Sequence, residues 1–180
     1  MKYTHLPPKQ GLYDPQFEHD ACGVGFVCNI KGAKSNQIIR QGLEVLKRLS
    51  HRGATGADPL TGDGAGILLQ MPDAFFRKAA KKIGILLPPE SFYGTGLIFL
   101  PPDQEDRRIC KEIFEQAIVQ QKLEVLGWRD VPVDTAGIGE GAKSSQPVFE
   151  QIFIARNKNN QDLLEFERAL YVIRKQAENK

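Results

Sequence analysis

With 180 residues, of which 41% are hydrophobic and 26% charged, the chain has the length and apolar content of one globular domain, or a large piece of one. A formal net charge of +2 is too near balance to point to a nucleic-acid or membrane partner, since such partners select a clustered basic excess. Three cysteines without a CxxC pair argue against a disulfide framework or a zinc site, and no apolar run approaches the roughly 20 residues that span a bilayer. The N-terminus has no apolar h-region of a signal peptide, so the expected setting is cytoplasmic and reduced.

Residues 1–21 carry Pro7, Pro8, Gly11 and Pro15 among polar residues, with too few aliphatics for a core element, and read as an arm or leader. From Cys22 the composition changes: CGVGFVCNI is small and β-branched, runs into Lys31-Gly32, and predicts a buried strand ending in a turn. Ser35 is placed to cap a helix on which Ile39, Leu43, Leu46 and Leu49 recur at helical spacing. Five glycines then fall between Gly53 and Gly66, in a loop that feeds a second expected strand, GILLQM. A short helix follows around DAFFRKAAKKI, whose Lys78, Lys81 and Lys82 read as a solvated face. Next come a strand around FYGTGLIFL and a helix after Pro102.

EVLGWRDVPV and PVFEQIFIAR read as strands separated by the glycine-rich loop DTAGIGEGAKSSQ. The last element is a helix with Leu163, Phe166, Leu170, Ile173 and Ala177 on one stripe. Short strands and helices in mixed order predict an α+β fold with a mainly antiparallel sheet. Cys28, six residues along the first strand, and Cys110, on the apolar stripe of its helix, are expected in the core.

A cysteine nucleophile needs a thiolate and a base. The histidines are His5, His19 and His51, two in or beside the leader and one next to an arginine, so nothing specific supports a Cys-His dyad. An N-terminal nucleophile uses its own α-amine instead; that amine has a pKa of about 7.7 to 8.0, close to working pH, against about 8.5 for the thiol. This requires the bond between Ala21 and Cys22 to be cut, and a leader ending in a small alanine before a strand-initiating cysteine has the form of such a precursor. On the residues alone Cys22 reads more readily as an apolar strand residue than as a nucleophile. The GDGAG run from Gly62 to Gly66 is no dinucleotide fingerprint, because it leads into an expected strand and lacks the Lys-Ser/Thr of a phosphate loop; close backbone packing explains it better.

GLYDPQFEHDACGVGFV, HRGATGADPLTGDGAG and the helix between them resemble the start of a glutamate synthase large subunit, in the class II glutamine amidotransferases. The resemblance runs through essentially the whole chain, most specifically from Gly11 to Pro72. It implies the αββα sandwich of the N-terminal-nucleophile fold, here as a truncated part, with a propeptide over 1–21 and the glutaminase domain from 22 to 180. It also implies Cys22 as the nucleophile that cuts ammonia from glutamine, with Arg52 and Gly53 supporting the active site. A guanidinium near the thiol would favour the thiolate; the alternative role of Arg52 is to cap the carbonyls of the preceding helix.

The resemblance further implies glutamine as substrate and the remaining domains of the same polypeptide as partners, with a small subunit or ferredoxin beyond them. No cofactor is expected in this segment; flavin mononucleotide and an iron–sulfur cluster are implied for the full-length enzyme. The family's arginine motif for the glutamine carboxylate and its asparagine-glycine oxyanion hole lie downstream of anything matched here, so the chain is expected to be inactive by itself. The competing readings are another class II amidotransferase, which would share the Cys-Gly start but not the EHDACGVG and GDGAG context, and a non-catalytic folding or interaction module.

Overall fold

The computed structural model describes residues 8–11, 14, 23–50, 53, 58, 60–62, 64–156 and 162–180. The chain divides into two compact units, Met1–Leu69 and Gln70–Lys180.

The first unit is built around helix α1 (Asn36–Arg48). Ser35 caps it as expected, its hydroxyl accepting the Ile38 N–H at 3.4 Å. The turn expected at Lys31-Gly32 is also present. Asn29 accepts the Lys31 N–H on its side chain at 2.9 Å and the Gly32 N–H on its carbonyl at 2.9 Å.

Among the described residues, the two strands expected from CGVGFVCNI and GILLQM are not formed. Residues 23–30 carry no ladder, and Val24 is 88% exposed, Phe26 90% and Ile30 101%. Residues 66–71 likewise carry no ladder, with Leu68 at 99%. An extended apolar segment becomes a strand only when a neighbour takes up its N–H and C=O groups, and among the described residues none does so here. Cys28 accordingly lies on the exposed segment, not in the core.

In the second unit the chain runs through α2 (Asp73–Lys81), β1 (Tyr93–Leu100), α3 (Gln104–Gln120), β2 (Glu124–Asp130), α4 (Glu140–Ser144), β3 (Val148–Ala155) and α5 (Leu163–Glu178). Lys78, Lys81 and Lys82 are all exposed, as the solvated-face reading requires. The short helix α4 interrupts what the sequence presents as a continuous loop over 134–146. Local hydrogen bonding starts the longer helices: Asp103 accepts the N–H groups of Glu105 and Asp106, and Asp162 that of Glu165 at 2.7 Å.

The three strands pair in the order β1-β3-β2, both pairings antiparallel, so the fold class is α+β as expected. Central β3 is apolar on both faces because helices cover both. Ile152 and Ile154 pack with Ala117 and Ile118 of α3 and with Phe166, Ala169 and Ile173 of α5. Phe153, fully buried, packs on the opposite face with Tyr93 and with Ala80 and Phe76 of α2. A small antiparallel sheet among helices is consistent with the truncated α+β part that the resemblance implies.

In this second unit, close approach is decided at two glycines. A Cβ at Gly94 would stand 2.6 Å from Leu170 Cδ1, so the lack of a side chain there lets α5 lie directly on β1. Gly127 sits at a register shift of β2 with φ +149°, and a Cβ on it would stand 2.6 Å from Ile85 Cδ1. Only glycine meets both demands.

The stripe expected on α5 is partly shifted. Phe166, Ala169 and Ile173 are buried, while Leu163 is 51% exposed. Cys110 is half-buried, not core; with Ile109, Ile113 and Phe114 it lines an apolar hollow of about 440 Å³ beside β1.

Candidate active site

The residues singled out in the sequence belong to the first unit, and the structure reaches them unequally. Cys22, His51 and Arg52 lie outside the described residues, whereas their neighbours Gly23 and Gly53 are described. Gly23 opens the segment 23–30, which carries no ladder. Two residues on, Gly25 passes so close to α1 that an added Cβ would come within 2.6 Å of Val45 Cγ1. At this one position of the CGVG run the small residue has a physical reason: the backbone of Gly25 lies against Val45 with no room for a side chain.

At the other end of α1 the chain turns sharply. The Leu49 N–H reaches the carbonyls of Val45 and Leu46, and the exposed Gly53 donates its N–H to the Ser50 carbonyl at 3.1 Å. Of the His-Arg-Gly segment, only Gly53 is among the described residues. Lys47 and Arg48 stand in the last helical turn, favourable positions for cations at a helix C-terminus, and Arg48 pairs with Glu44 at 2.8 Å. Further along, Asp58 closes a second turn, accepting from the Leu60 N–H at 2.9 Å and the Thr61 hydroxyl at 3.0 Å.

Gly64 has φ +84°, a left-handed conformation that side chains rarely adopt. A Cβ on Gly64 or Gly66 would nevertheless meet nothing within 4 Å. At these two positions of the GDGAG run, the close packing expected from the sequence is not found. What Gly64 supplies is backbone conformation.

Polar networks that the sequence reading missed lie in the second unit. Asp73 accepts from the Tyr93 hydroxyl at 2.9 Å and from Arg77 Nη2 at 2.8 Å, while Arg77 also donates to the carbonyls of Leu87 and Pro88. Burial, and then the bond to Asp73, push the ionisation of Tyr93 well above the ordinary tyrosine range. On the other face, Lys111 Nζ bonds Glu150 Oε2 at 2.7 Å, and Trp128 Nε1 donates to Glu115 at 2.8 Å. These bonds join elements to one another, and no sequence motif announced them.

Among the described residues no group of three or more His, Cys, Asp and Glu is placed to hold a metal. Cys28 and Cys110 are both free thiols. No helix of the described residues is long and apolar enough to cross a membrane.

Residues 22–180 match the family model of class-II glutamine amidotransferases, and the chain belongs to that family. Within it, the similarity is to glutamate synthases. The chain is 49% identical over 179 residues to the glutamate synthase [NADPH] large chain of Bacillus subtilis, an alignment covering 99% of this chain and 12% of that protein. It is 40% identical to glutamate synthase [NADH] of Schizosaccharomyces pombe, with 96% of this chain and 8% of that protein covered. Against the chloroplastic ferredoxin-dependent glutamate synthase 2 of Arabidopsis thaliana the identity is 37%, with 98% and 11% covered. The resemblance expected from the motifs is thereby borne out, and the chain spans about an eighth or less of the length of these curated relatives.

Proposed function

We propose that this chain is the glutaminase part of a glutamate synthase and that Cys22, once freed from residues 1–21, is its nucleophile. The observation that carries this reading is the extent of the family match, which starts at residue 22, the cysteine itself. A cysteine that opens its domain can use its own α-amine as base, because a free amine has a lone pair and an acylated nitrogen has none. The thiolate of Cys22 adds to the side-chain amide carbon of glutamine. The C–N bond breaks, and the α-amine passes its proton to the departing ammonia. Water then hydrolyses the thioester, releasing glutamate and restoring the thiol.

Arg52 and Gly53 support this site in our reading. The Arg52 guanidinium favours the thiolate and braces its loop. In the full-length synthase, the ammonia goes on to aminate 2-oxoglutarate in another domain of the polypeptide. Flavin mononucleotide and the iron–sulfur cluster belong to those other parts. The name of the Bacillus subtilis relative, an NADPH enzyme's large chain, favours a nicotinamide donor and a second subunit over ferredoxin. A cytoplasmic location goes with this reading.

As a separate polypeptide the 180 residues are inactive in this account. The resemblance matches no oxyanion donor or carboxylate clamp within them, and one oxyanion donor alone is worth about a hundredfold to a thousandfold in rate.

The deciding experiment uses the full-length enzyme. Cys22→Ala abolishes glutamine-dependent glutamate synthesis and leaves synthesis from added ammonia intact, and intact-mass analysis of active protein gives an N-terminus at Cys22. Equal loss of both activities would make Cys22 a structural residue. Full activity with residues 1–21 still attached would rule out the α-amine as base.

A further inference from the structure

We draw no further inference here: the strongest candidate, the bare apolar patch that Leu97 and Phe99 form beside Phe149 towards the Leu100 end of β1, is an unpartnered sheet face, and nothing in the structure shows what covers it.

Discussion

The hydroxyl of Tyr93, at the start of β1, donates a 2.9 Å hydrogen bond to Asp73, at the start of α2, across 20 residues of chain. Tyr93 is 2% exposed, so its hydroxyl has no other means of replacing water. Removing it as Tyr93→Phe is expected to cost about 1.5 to 3 kcal/mol, the range for a bond to a charged acceptor, measured by denaturant unfolding. The pH dependence gives an independent check. The ionisation of Tyr93 lies near 10 when unfolded and is raised on folding, so the folded chain holds a proton that the unfolded chain releases. Its contribution is whole below pH 10 and is lost as pH rises from there towards the folded value. The loss of stability above pH 10 should be shallower in Tyr93→Phe than in the unsubstituted chain.

Lys111 and Glu150 form the second relationship open to test. Glu150 lies on the central strand with its side chain 7% exposed, and its charge is met by the Lys111 ammonium, which also sits 4.8 Å from the centre of the Trp128 ring. Lys111→Met leaves a buried carboxylate without its partner and should cost about 3 kcal/mol. Replacing both, as Lys111→Met with Glu150→Leu, should recover most of that loss, because a well-packed apolar pair needs no compensation for desolvation. If the single and double variants unfold at the same denaturant concentration, the pair is not the source of the effect.

Two helices end in the same way with different residues. After α3, the Lys122 N–H bonds Val119 and the Leu123 N–H bonds Ile118; after α2, the Gly84 N–H bonds Lys81 and the Ile85 N–H bonds Ala80. Each motif needs a left-handed residue, supplied by Gly84 at φ +79° in one case and by Lys122 at φ +59° in the other. A side chain in that region costs about 1 to 2 kcal/mol, so Lys122→Gly is expected to stabilise by several tenths of a kcal/mol to about 1 kcal/mol once the added freedom of the unfolded chain is allowed for. Gly84→Ala should destabilise by a similar amount. Melting temperatures of the two variants should move in opposite directions.

Cys110 should prove to be a packing residue. Half-buried among Ile109, Ile113 and Phe114, it loses only one sulfur atom's contacts in Cys110→Ala, a cost of about 1 kcal/mol or less. In the full-length enzyme, glutamine-dependent turnover by this variant should match the parent. A large fall in turnover with an unchanged melting temperature would contradict the assignment.

By itself, the sequence determined the features whose causes are local. Helix α1 follows from the spacing of Ile39, Leu43 and Leu46 behind the cap Ser35, and the turn at Gly32 from Asn29 and a residue free to adopt positive φ. The family was legible for a similar reason, since EHDACGVG and HRGATGADPLTGDGAG are contiguous runs whose residue types and order can be read without coordinates.

Tertiary structure decided what depends on partners far along the chain. VFEQIFIA becomes the central strand because two neighbours bond it and helices cover both faces, whereas CGVGFVCNI, just as apolar, finds no ladder among the described residues and leaves Phe26 and Cys28 exposed. The Tyr93–Asp73 bond, the Lys111–Glu150 pair and the fit of Gly127 against Ile85 are equally invisible in the sequence. Helical periodicity and capping arise within a few residues, but a strand's hydrogen bonds and a buried charge's partner come from wherever packing brings the chain together.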